Sequence, residues 1–453
     1  MKYAELIRKY NVPAPRYTSY PTVPVWKEPF PATHPWLDIV AHAFQESGHT
    51  QGISLYVHLP FCESLCTYCA CNTRITKNHN VEERYIQALL KEWKVYREVF
   101  GKALVIRELH LGGGTPTFFS AENLQYLVEK LLSGATVPEN REFALEGHPN
   151  NTTAEHLQVL HDLGFNRVSY GVQDLDLKVQ MAINRIQPFA NVKYVTESAC
   201  EIGYTSVSFD LIYGLPFQTQ DSIAHTINQV IKLMPDRVAF YSYAHVPWIK
   251  PSQRRYTETD LPDNETKRAL YEEGKNLLNQ HGYIDIGMDH FALPKDALYQ
   301  AYQNKTLHRN FMGYTTSSTD MVIGLGASAI SDAKYAYAQN HKKVEDYYSH
   351  TAMNKLAIYK GYVLTPEDRA IRKCILDITC KGEINELSVY NLLDKKAQAK
   401  LMTMEKEGLI LRTQNGWKIT ETGHTFIRNI CMLFDRNINH TQENSASAFS
   451  KAI

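Results

Sequence analysis

The sequence has no excess of charge of either sign and no long apolar run. Its 453 residues include 48 Lys and Arg and 48 Asp and Glu, so no long-range field favours nucleic acid or an anionic membrane surface. No apolar stretch approaches the length of about 18 residues that a membrane span needs, and the first residues lack the pattern of a signal peptide. We therefore expect a cytoplasmic protein with no membrane span and no nucleic-acid partner.

Cysteine is scarce outside one short segment. Four of the eight cysteines lie between positions 62 and 71, and the other four are scattered along the chain. In a cytoplasmic protein this distribution indicates metal ligation and not a framework of disulfides. The scattered cysteines are expected to be buried as small apolar side chains.

The fold class follows from the hydrophobic pattern. Residues 1–48 are rich in Pro and aromatic side chains, which predicts an extended N-terminal arm. From residue 53 onward, short β-branched or aromatic runs alternate with amphipathic stretches, as in repeated βαβ units. This pattern predicts an α/β fold, a partial TIM-like barrel of six βα units, in a catalytic region that spans 49–350.

Six strands and five helices are predicted in this region. The strands are 53–59, 104–111, 143–147, 167–172, 206–212 and 237–243. The helices are 81–100, 120–133, 153–163, 189–202 and 220–233, and Thr152 with Glu155 fits a capping box for the third.

A mainly helical C-terminal domain is predicted over 360–453. Its segment 386–420 has the pattern of two helices and a hairpin whose turn lies at 414–416, an order that resembles a winged helix. Such a module can read DNA, but without a basic excess a packing module or a lid on the barrel is the favoured interpretation. Residues 437–453 are polar and are expected to fray.

The loop after the first predicted strand holds Cys62, Cys66 and Cys69, with Cys71 two residues further on. Three thiolates at this spacing can hold three irons of a [4Fe–4S] cluster and leave the fourth iron open to a ligand. Two alternatives stay open at this point. They are a structural zinc site, which usually comes from two separated knuckles, and a ferredoxin-type cluster, which needs a fourth thiolate at a different spacing.

Polar and glycine-rich segments follow the predicted strands at their carboxyl ends, where barrel enzymes place their chemistry. Residues 112–115 follow the second strand, and their backbone N–H groups are expected to face a ligand. Glu146 ends the third strand and Asp210 lies late in the fifth, and either carboxylate can bind an ammonium group or a ribose diol. Gln173 and Ala244 follow strands four and six.

The spacing Cys-x-x-x-Cys-x-x-Cys after a first barrel strand resembles the signature of the radical S-adenosylmethionine superfamily. Further segments are similar to one family within it, the oxygen-independent coproporphyrinogen III oxidases of haem biosynthesis. These segments are 15–22, the loop ending in Cys71, 112–116, 170–174, 210–216, 287–292 and 428–431. The similarity covers essentially the whole chain.

The resemblance implies an oxidoreductase with a [4Fe–4S] cluster on Cys62, Cys66 and Cys69, and with two molecules of S-adenosylmethionine. It implies that the cleaved molecule contacts Tyr56, Gly113 and Glu146, with Ile330 beside it. For the second molecule it implies contacts with Tyr68, Gly114, Thr115, Gln173, Arg185, Asp210 and Ala244. Tyr56 and Glu146 are the implied catalytic residues. The chain departs from common family residues at Tyr68, Ala70, His148 and Met312.

The implied reaction converts two propionate side chains of coproporphyrinogen III into vinyl groups, which gives protoporphyrinogen IX by a 5′-deoxyadenosyl radical mechanism. It implies a one-electron donor such as a flavodoxin or a ferredoxin, and we expect a monomer. Candidate partners for the substrate carboxylates are Arg16, Lys250, Arg254, Arg255 and Arg309. Further candidates at the barrel mouth are His58, Asp289, His290 and His308. A haem chaperone of the same superfamily and a redox-sensing nucleic-acid regulator are the alternatives.

Overall fold

The computed structural model describes residues 3–31, 35–101 and 104–438. Its N-terminal region contains helices α1 (Tyr3–Tyr10), α2 (Trp36–Ala43) and α3 (His49–Gln51), with a π-helical turn at Phe44–Gly48. The N-terminal arm is therefore not extended over its whole length. Most of its prolines lie between α1 and α2, and helices form on either side of them. Of the segment predicted to fray, residues 439–453 lie outside the described residues.

Strands and helices then alternate along the chain. They are β1 (Ile53–Leu59), β2 (Phe61–Cys62), β3 (Arg74–Ile75), α4 (Val81–Phe100), β4 (Ile106–Gly113), α5 (Ala121–Leu132), β5 (Glu142–Gly147), α6 (Ala154–Asp162), β6 (Arg167–Gln173), α7 (Leu177–Ala182), α8 (Phe189–Ile202), β7 (Ser206–Tyr213), α9 (Gln220–Leu233) and β8 (Arg237–Ser242). The six predicted strands and five predicted helices are confirmed, with every end within two residues. The capping box was placed one residue too early, because Thr153 caps α6 together with His156.

The long strands form a parallel sheet at the centre of the molecule. β1, β4, β5, β6, β7 and β8 are neighbours in that order, and each is parallel to the next. Because these strands are all parallel, their carboxyl ends lie at one edge of the sheet. The partial barrel is therefore confirmed, and the cysteine loop and the polar segments come together at that edge.

Added strands extend this sheet on both sides. The elements that follow the barrel units are α10 (Asn264–Gln280), β9 (Ile284–Gly287), β10 (His290–Ala292), α11 (Ala297–Gln303), β11 (His308–Asn310), β12 (Gly313–Thr315), β13 (Met321–Leu325), β14 (Ile330–Ala333), β15 (Ala336–Asn340), α12 (Val344–Ala352) and β16 (Ile358–Val363). β13 pairs in parallel with β1, and β14 to β16 follow it as antiparallel neighbours. Beyond β8, β10 and β9 close the other side.

The last region packs against the N-terminal helix. Its elements are α13 (Pro366–Lys381), β17 (Glu383–Asn385), α14 (Glu386–Leu392), α15 (Lys395–Lys406), β18 (Ile410–Thr413), β19 (Gly416–Ile419), α16 (Glu421–His424) and α17 (Ile427–Met432). The two helices and the hairpin lie where they were predicted, and β17 adds a third strand beside β19. Leu6, Tyr17 and Tyr20 belong to the same hydrophobic core as α13 and α17, so the N-terminal segment helps to fix this region.

Candidate cofactor site

A cavity of about 430 Å³ opens at the carboxyl ends of the parallel strands. Its wall brings together most of the predicted site residues, namely Cys62, Cys66, Tyr68, Cys69, Gly113, Gly114, Thr115, Glu146, Gln173, Arg185 and Asp210. Ala70, Cys71 and His148 also line it. The sequence therefore predicted the main wall of this cavity, although Tyr56, Ala244 and Ile330 lie outside its lining.

Tyr56 lies in β1, beneath the cavity. Its hydroxyl is 3.1 Å from Nδ1 of His58, and its ring stacks on His110 with centroids 5.8 Å apart. A Cβ on Gly112 would lie 3.0 Å from the Tyr56 ring. Tyr56 therefore supports the glycine segment from below and does not form part of the wall.

Ile330 and Ala244, the other two predicted contacts outside the lining, also lie away from the cavity wall. Ile330 begins β14, beside β13, whose Gly324 pairs with Tyr56. Ala244 follows β8 and is exposed, and its carbonyl accepts a hydrogen bond of 3.2 Å from the Gln253 side chain. Both residues lie close to the site in the fold but do not line the cavity.

The cysteine loop is fastened to the protein on both sides. The Thr67 N–H donates to the Ile183 carbonyl at 2.9 Å, and the Asn184 side chain donates to the Leu65 carbonyl at 2.8 Å. On the other side, the Ser252 hydroxyl donates to the Thr67 carbonyl at 3.2 Å. These bonds attach the loop to the turn after α7 on one side and to Ser252 on the other.

The thiols of this loop carry features that fit an iron–sulfur cluster. All eight cysteines are free. Arg185 Nη1 lies 3.5 Å from the Cys66 sulfur, and its buried Nε has no hydrogen-bond partner among the described residues. A guanidinium in this position can offset the negative charge of thiolate ligands. Across the described chain, no three His, Cys, Asp or Glu side chains are arranged to hold a metal ion. Three thiols on the wall of a larger cavity suit a multi-iron group better than a single ion.

The glycine segment at the end of β4 contributes shape. A Cβ on Gly114 would lie 2.6 Å from the carbonyl of Pro60, so only glycine lets the segment lie this close to the cysteine loop. The expectation that its N–H groups face a ligand was wrong. The Gly113 N–H donates to Glu146, the Gly114 N–H to the Leu59 carbonyl and the Thr115 N–H to the Phe61 carbonyl.

Two carboxylates in the cavity differ in their pKa and therefore in their protonation state. Burial acts to raise the pKa of Glu146, but the hydrogen bond and the charge of His110 together with the Gly113 N–H hold that pKa below its ordinary value. Burial, and next the charge of Glu146, raise the pKa of Asp210 to about 7, against the opposing effects of Ser169 and Arg185. Glu146 is thus an anion across the neutral pH range, whereas Asp210 titrates within it.

Sequence reasoning missed two side chains that set these states. His110 Nε2 lies 3.2 Å from Glu146 Oε1, and the Ser169 hydroxyl donates to Asp210 at 3.4 Å. Ser169 lies two residues before Gly171, which lines the cavity, so the alternation of side chains along β6 places Ser169 on the cavity face. That alternation was the available signal.

Candidate groups for a carboxylate-bearing substrate lie in a second, smaller cleft. Arg16 and Arg309 line it with Asp289, and Arg16 Nη1 is 3.6 Å from Asp289. Residues 15–22 do not line the cavity with the cysteines. Of the other cations, Lys250 donates to the Cys71 carbonyl at 3.2 Å and Arg254 to the Pro247 carbonyl at 3.0 Å.

Three positions that depart from common family residues lie in different surroundings. Ala70 lines the cavity and does not adopt a positive φ, so the alanine causes no backbone strain. Burial lowers the pKa of His148 to about 3, so its imidazole is neutral. The Met312 N–H donates to the Asn310 side chain between β11 and β12. The remaining mouth candidates, His58, His290 and His308, are buried or half-buried.

Within the described residues, no helix has the length and apolar composition needed to cross a bilayer.

Comparisons with known proteins agree with this site. The model of the Radical SAM superfamily matches residues 56–230. Oxygen-independent coproporphyrinogen III oxidase of Pseudomonas aeruginosa is 39% identical over 96% of this chain and 95% of its own, and the Helicobacter pylori protein of that name is 38% identical over 95% and 96%. The solved structure of coproporphyrinogen III oxidase from Escherichia coli, a radical SAM enzyme, matches with a TM-score of 0.87 and 36% identity over 96% of this chain and 98% of that one. The chain therefore belongs to the family of oxygen-independent coproporphyrinogen III oxidases, in the radical S-adenosylmethionine superfamily.

Proposed function

We propose that this chain oxidatively decarboxylates two propionate side chains of coproporphyrinogen III, without oxygen, to give protoporphyrinogen IX. The observation that carries the proposal is the single cavity in which Cys62, Cys66 and Cys69 face Glu146 and the glycine segment. The names of its relatives supply the substrate. No observation in the structure favours the haem chaperone or the nucleic-acid regulator.

The cofactors supply the radical chemistry and the chain supplies their positions. When bound, the [4Fe–4S] cluster and S-adenosylmethionine provide a 5′-deoxyadenosyl radical that removes hydrogen from the β-carbon of a propionate, after which the side chain loses CO₂ and one electron. The three cysteines hold the cluster, and Arg185 offsets the negative charge of the thiolates. Glu146, kept ionised by His110, would accept hydrogen bonds from the cationic amino group of a bound cofactor.

The second molecule of S-adenosylmethionine is also part of the proposal. Of its seven implied contacts, Tyr68, Gly114, Thr115, Gln173, Arg185 and Asp210 line the cavity, and Ala244 does not. Asp210 is the side chain whose charge this molecule would change, because a cation beside it lowers its pKa. Equilibrium dialysis of labelled S-adenosylmethionine against the cluster-loaded protein tests this, with a stoichiometry of two per chain expected and a stoichiometry of one contradicting it.

Arg16 and Arg309 are the proposed contacts for a substrate carboxylate. Arg309 is buried, and its Nε has no partner among the described residues. Its Nη1 donates to the backbone carbonyl of Arg16 at 3.1 Å, and both residues line the same cleft. A carboxylate can pair with such groups in a bidentate manner.

The decisive experiment is anaerobic. The cluster is reconstituted, and the protein is given dithionite, S-adenosylmethionine and coproporphyrinogen III. We expect 5′-deoxyadenosine and protoporphyrinogen IX to form together, with about two cofactors cleaved per product, and we expect both to disappear in Cys62→Ala. Cleavage without a vinyl product would refute the proposed substrate. Cys374→Ala, at a buried cysteine far along the chain in α13, is the matched control and should retain the reaction.

A cytoplasmic location and a monomeric state belong to the same proposal. The free state of all eight cysteines supports a reducing compartment. Sedimentation of the cluster-loaded protein tests whether the chain is a monomer in solution.

A further inference from the structure

The cysteine loop is bordered by exposed apolar side chains. Leu65, which lies between Cys62 and Cys66, is 41% exposed, and Leu177, Met181 and Ile186 are 56–60% exposed. The bond from Asn184 to the Leu65 carbonyl joins the turn after α7 to the loop, and Leu65 and Ile186 line the same cavity, so these side chains form one surface. We call Leu65, Leu177, Lys178, Met181 and Ile186 the loop-side patch. Clustered apolar side chains of this kind mark interaction surfaces more often than isolated ones do.

Cations without acidic partners surround the same loop. Lys77, Lys178, Lys250, Arg254 and Arg255 form no ion pair with any carboxylate in the described part of the chain. Lys178 instead lies over the ring of Phe217, 4.8 Å from its centroid. The acids on the same segments are Glu63, which lies 3.8 Å from His79, and Asp176, which caps α7. The whole chain is neutral, so the cations are in local excess here. This excess favours an acidic partner at this surface.

We propose that the loop-side patch is the docking surface for a small acidic protein that carries one electron at a time on a flavin or an iron–sulfur group. The inference rests on the proposed function, which needs one electron from outside for each cofactor that is cleaved. The carrier is oxidised by one electron, the cluster gains that electron, and no bond forms or breaks in the transfer. The patch suits this delivery because only the cysteine loop itself separates the carrier from the cluster ligands.

The loop-side patch is also separate from the second cleft, which holds the proposed contacts for a substrate carboxylate. The cleft with Arg16 and Arg309 is lined by residues of the N-terminal segment, β7 to β9 and the C-terminal region, whereas the patch is formed by the cysteine loop, α7 and the turn after it. A carrier on the patch therefore leaves that cleft free. Leu65 and Ile186 also line the cofactor cavity, so the patch borders that cavity directly.

The test uses the cluster-loaded protein and measures the affinity for recombinant flavodoxin by titration calorimetry, with a [2Fe–2S] ferredoxin as a second probe. In Lys178→Glu we expect Kd for the better carrier to rise about tenfold and its dependence on salt to weaken, since electrostatic steering alone changes association rates by roughly 10- to 1000-fold. Lys130→Glu is the matched control, because Lys130 also lies over an exposed aromatic ring, that of Tyr126, but in the last turn of α5.

Product formation gives a second readout. With the carrier as reductant, the rate should fall in Lys178→Glu, whereas with dithionite it should equal that of the unmodified chain. An unchanged Kd in Lys178→Glu, an equal rise in Lys130→Glu, or failure of both carriers to bind the unmodified chain would overturn the proposal. Self-association that Lys178→Glu abolishes would assign the patch to a second copy and overturn it too. If dithionite yields no vinyl product in the unmodified chain, the proposed function fails, and the affinity data still decide the docking surface.

Discussion

Replacing Asp210 by Asn should stabilise the cofactor-free protein at high pH. Burial, with the nearby charge of Glu146, raises the pKa of Asp210 to about 7, whereas an unfolded Asp titrates near about 3.9. The folded state therefore prefers the protonated acid. The unfolding free energy that protonated Asp210 contributes is fully present below about pH 4 and is lost as the pH rises through about 7.

The size of the effect follows from the same values. The gap between about 3.9 and about 7 corresponds to an upper bound of about 4 kcal/mol. Asp210 lines an open cavity and is partly solvated, so we expect about half of that, about 2 kcal/mol, as the gain in unfolding free energy of Asp210→Asn at pH 8.5. At pH 4.5 the gain should shrink to about 0.5 kcal/mol, because Asp210 is then protonated in the folded chain and the pH lies close to about 3.9, where an unfolded Asp titrates.

Denaturant unfolding of the cofactor-free chain at the two pH values measures this difference. Asp162→Asn, at a side chain that is 66% exposed in the last turn of α6, serves as the control and should change the unfolding free energy by less than about 0.5 kcal/mol at either pH. A destabilised Asp210→Asn at pH 8.5, or a gain that is the same at both pH values, would show that burial does not govern this carboxylate.

Three further changes probe the rest of the site. Glu146→Gln removes the charged acceptor opposite the cysteines, so Kd for S-adenosylmethionine should rise at least tenfold, roughly the effect of 1.5 kcal/mol. Equilibrium dialysis of the cluster-loaded protein measures this Kd, and an unchanged value would contradict the role of Glu146. Gly114→Ala places a Cβ 2.6 Å from the Pro60 carbonyl, and we expect a loss of about 1–3 kcal/mol in unfolding free energy together with less bound iron per chain. Arg309→Lys should raise KM for coproporphyrinogen III about tenfold at nearly constant kcat, because an ammonium group cannot form a bidentate pair; a fall in kcat alone would argue against binding.

The sequence predicted the barrel because each of its strands carries its own local signal. β6 and β7, for example, are runs of β-branched and aromatic residues between helices that have clear caps. β13 was missed because Met321–Leu325 is a five-residue, fully buried run, and periodicity cannot assign such a run to a strand or a helix. Its parallel pairing with β1 depends on a contact between residues more than 260 positions apart, which no local pattern contains.

The residues of the site also divide into those that local sequence predicts and those that depend on distant contacts. Cys62, Cys66 and Cys69 are adjacent in sequence, and their shared cavity wall could be predicted from spacing alone. The hydrogen bonds of the glycine segment could not, because the acceptors of Gly114 and Thr115 are carbonyls of β1 and β2, more than 50 residues earlier. A glycine-rich turn indicates that the backbone approaches something closely, and here the partner is the cysteine loop itself.

The distribution of charge in the cavity indicates how a ligand is oriented there. Arg185 lies at the cysteine side, with Nη1 3.5 Å from Cys66, while Glu146 and Asp210 lie at the ends of β5 and β7. A ligand with a carboxylate and a cationic amino group on one carbon can satisfy both sides only in one direction. Because Glu146 stays ionised when Asp210 is protonated, its charge fixes this direction over the neutral pH range. Because the charge of Glu146 raises the pKa of Asp210, the two carboxylates are coupled, and a further cation beside Asp210 acts against this repulsion.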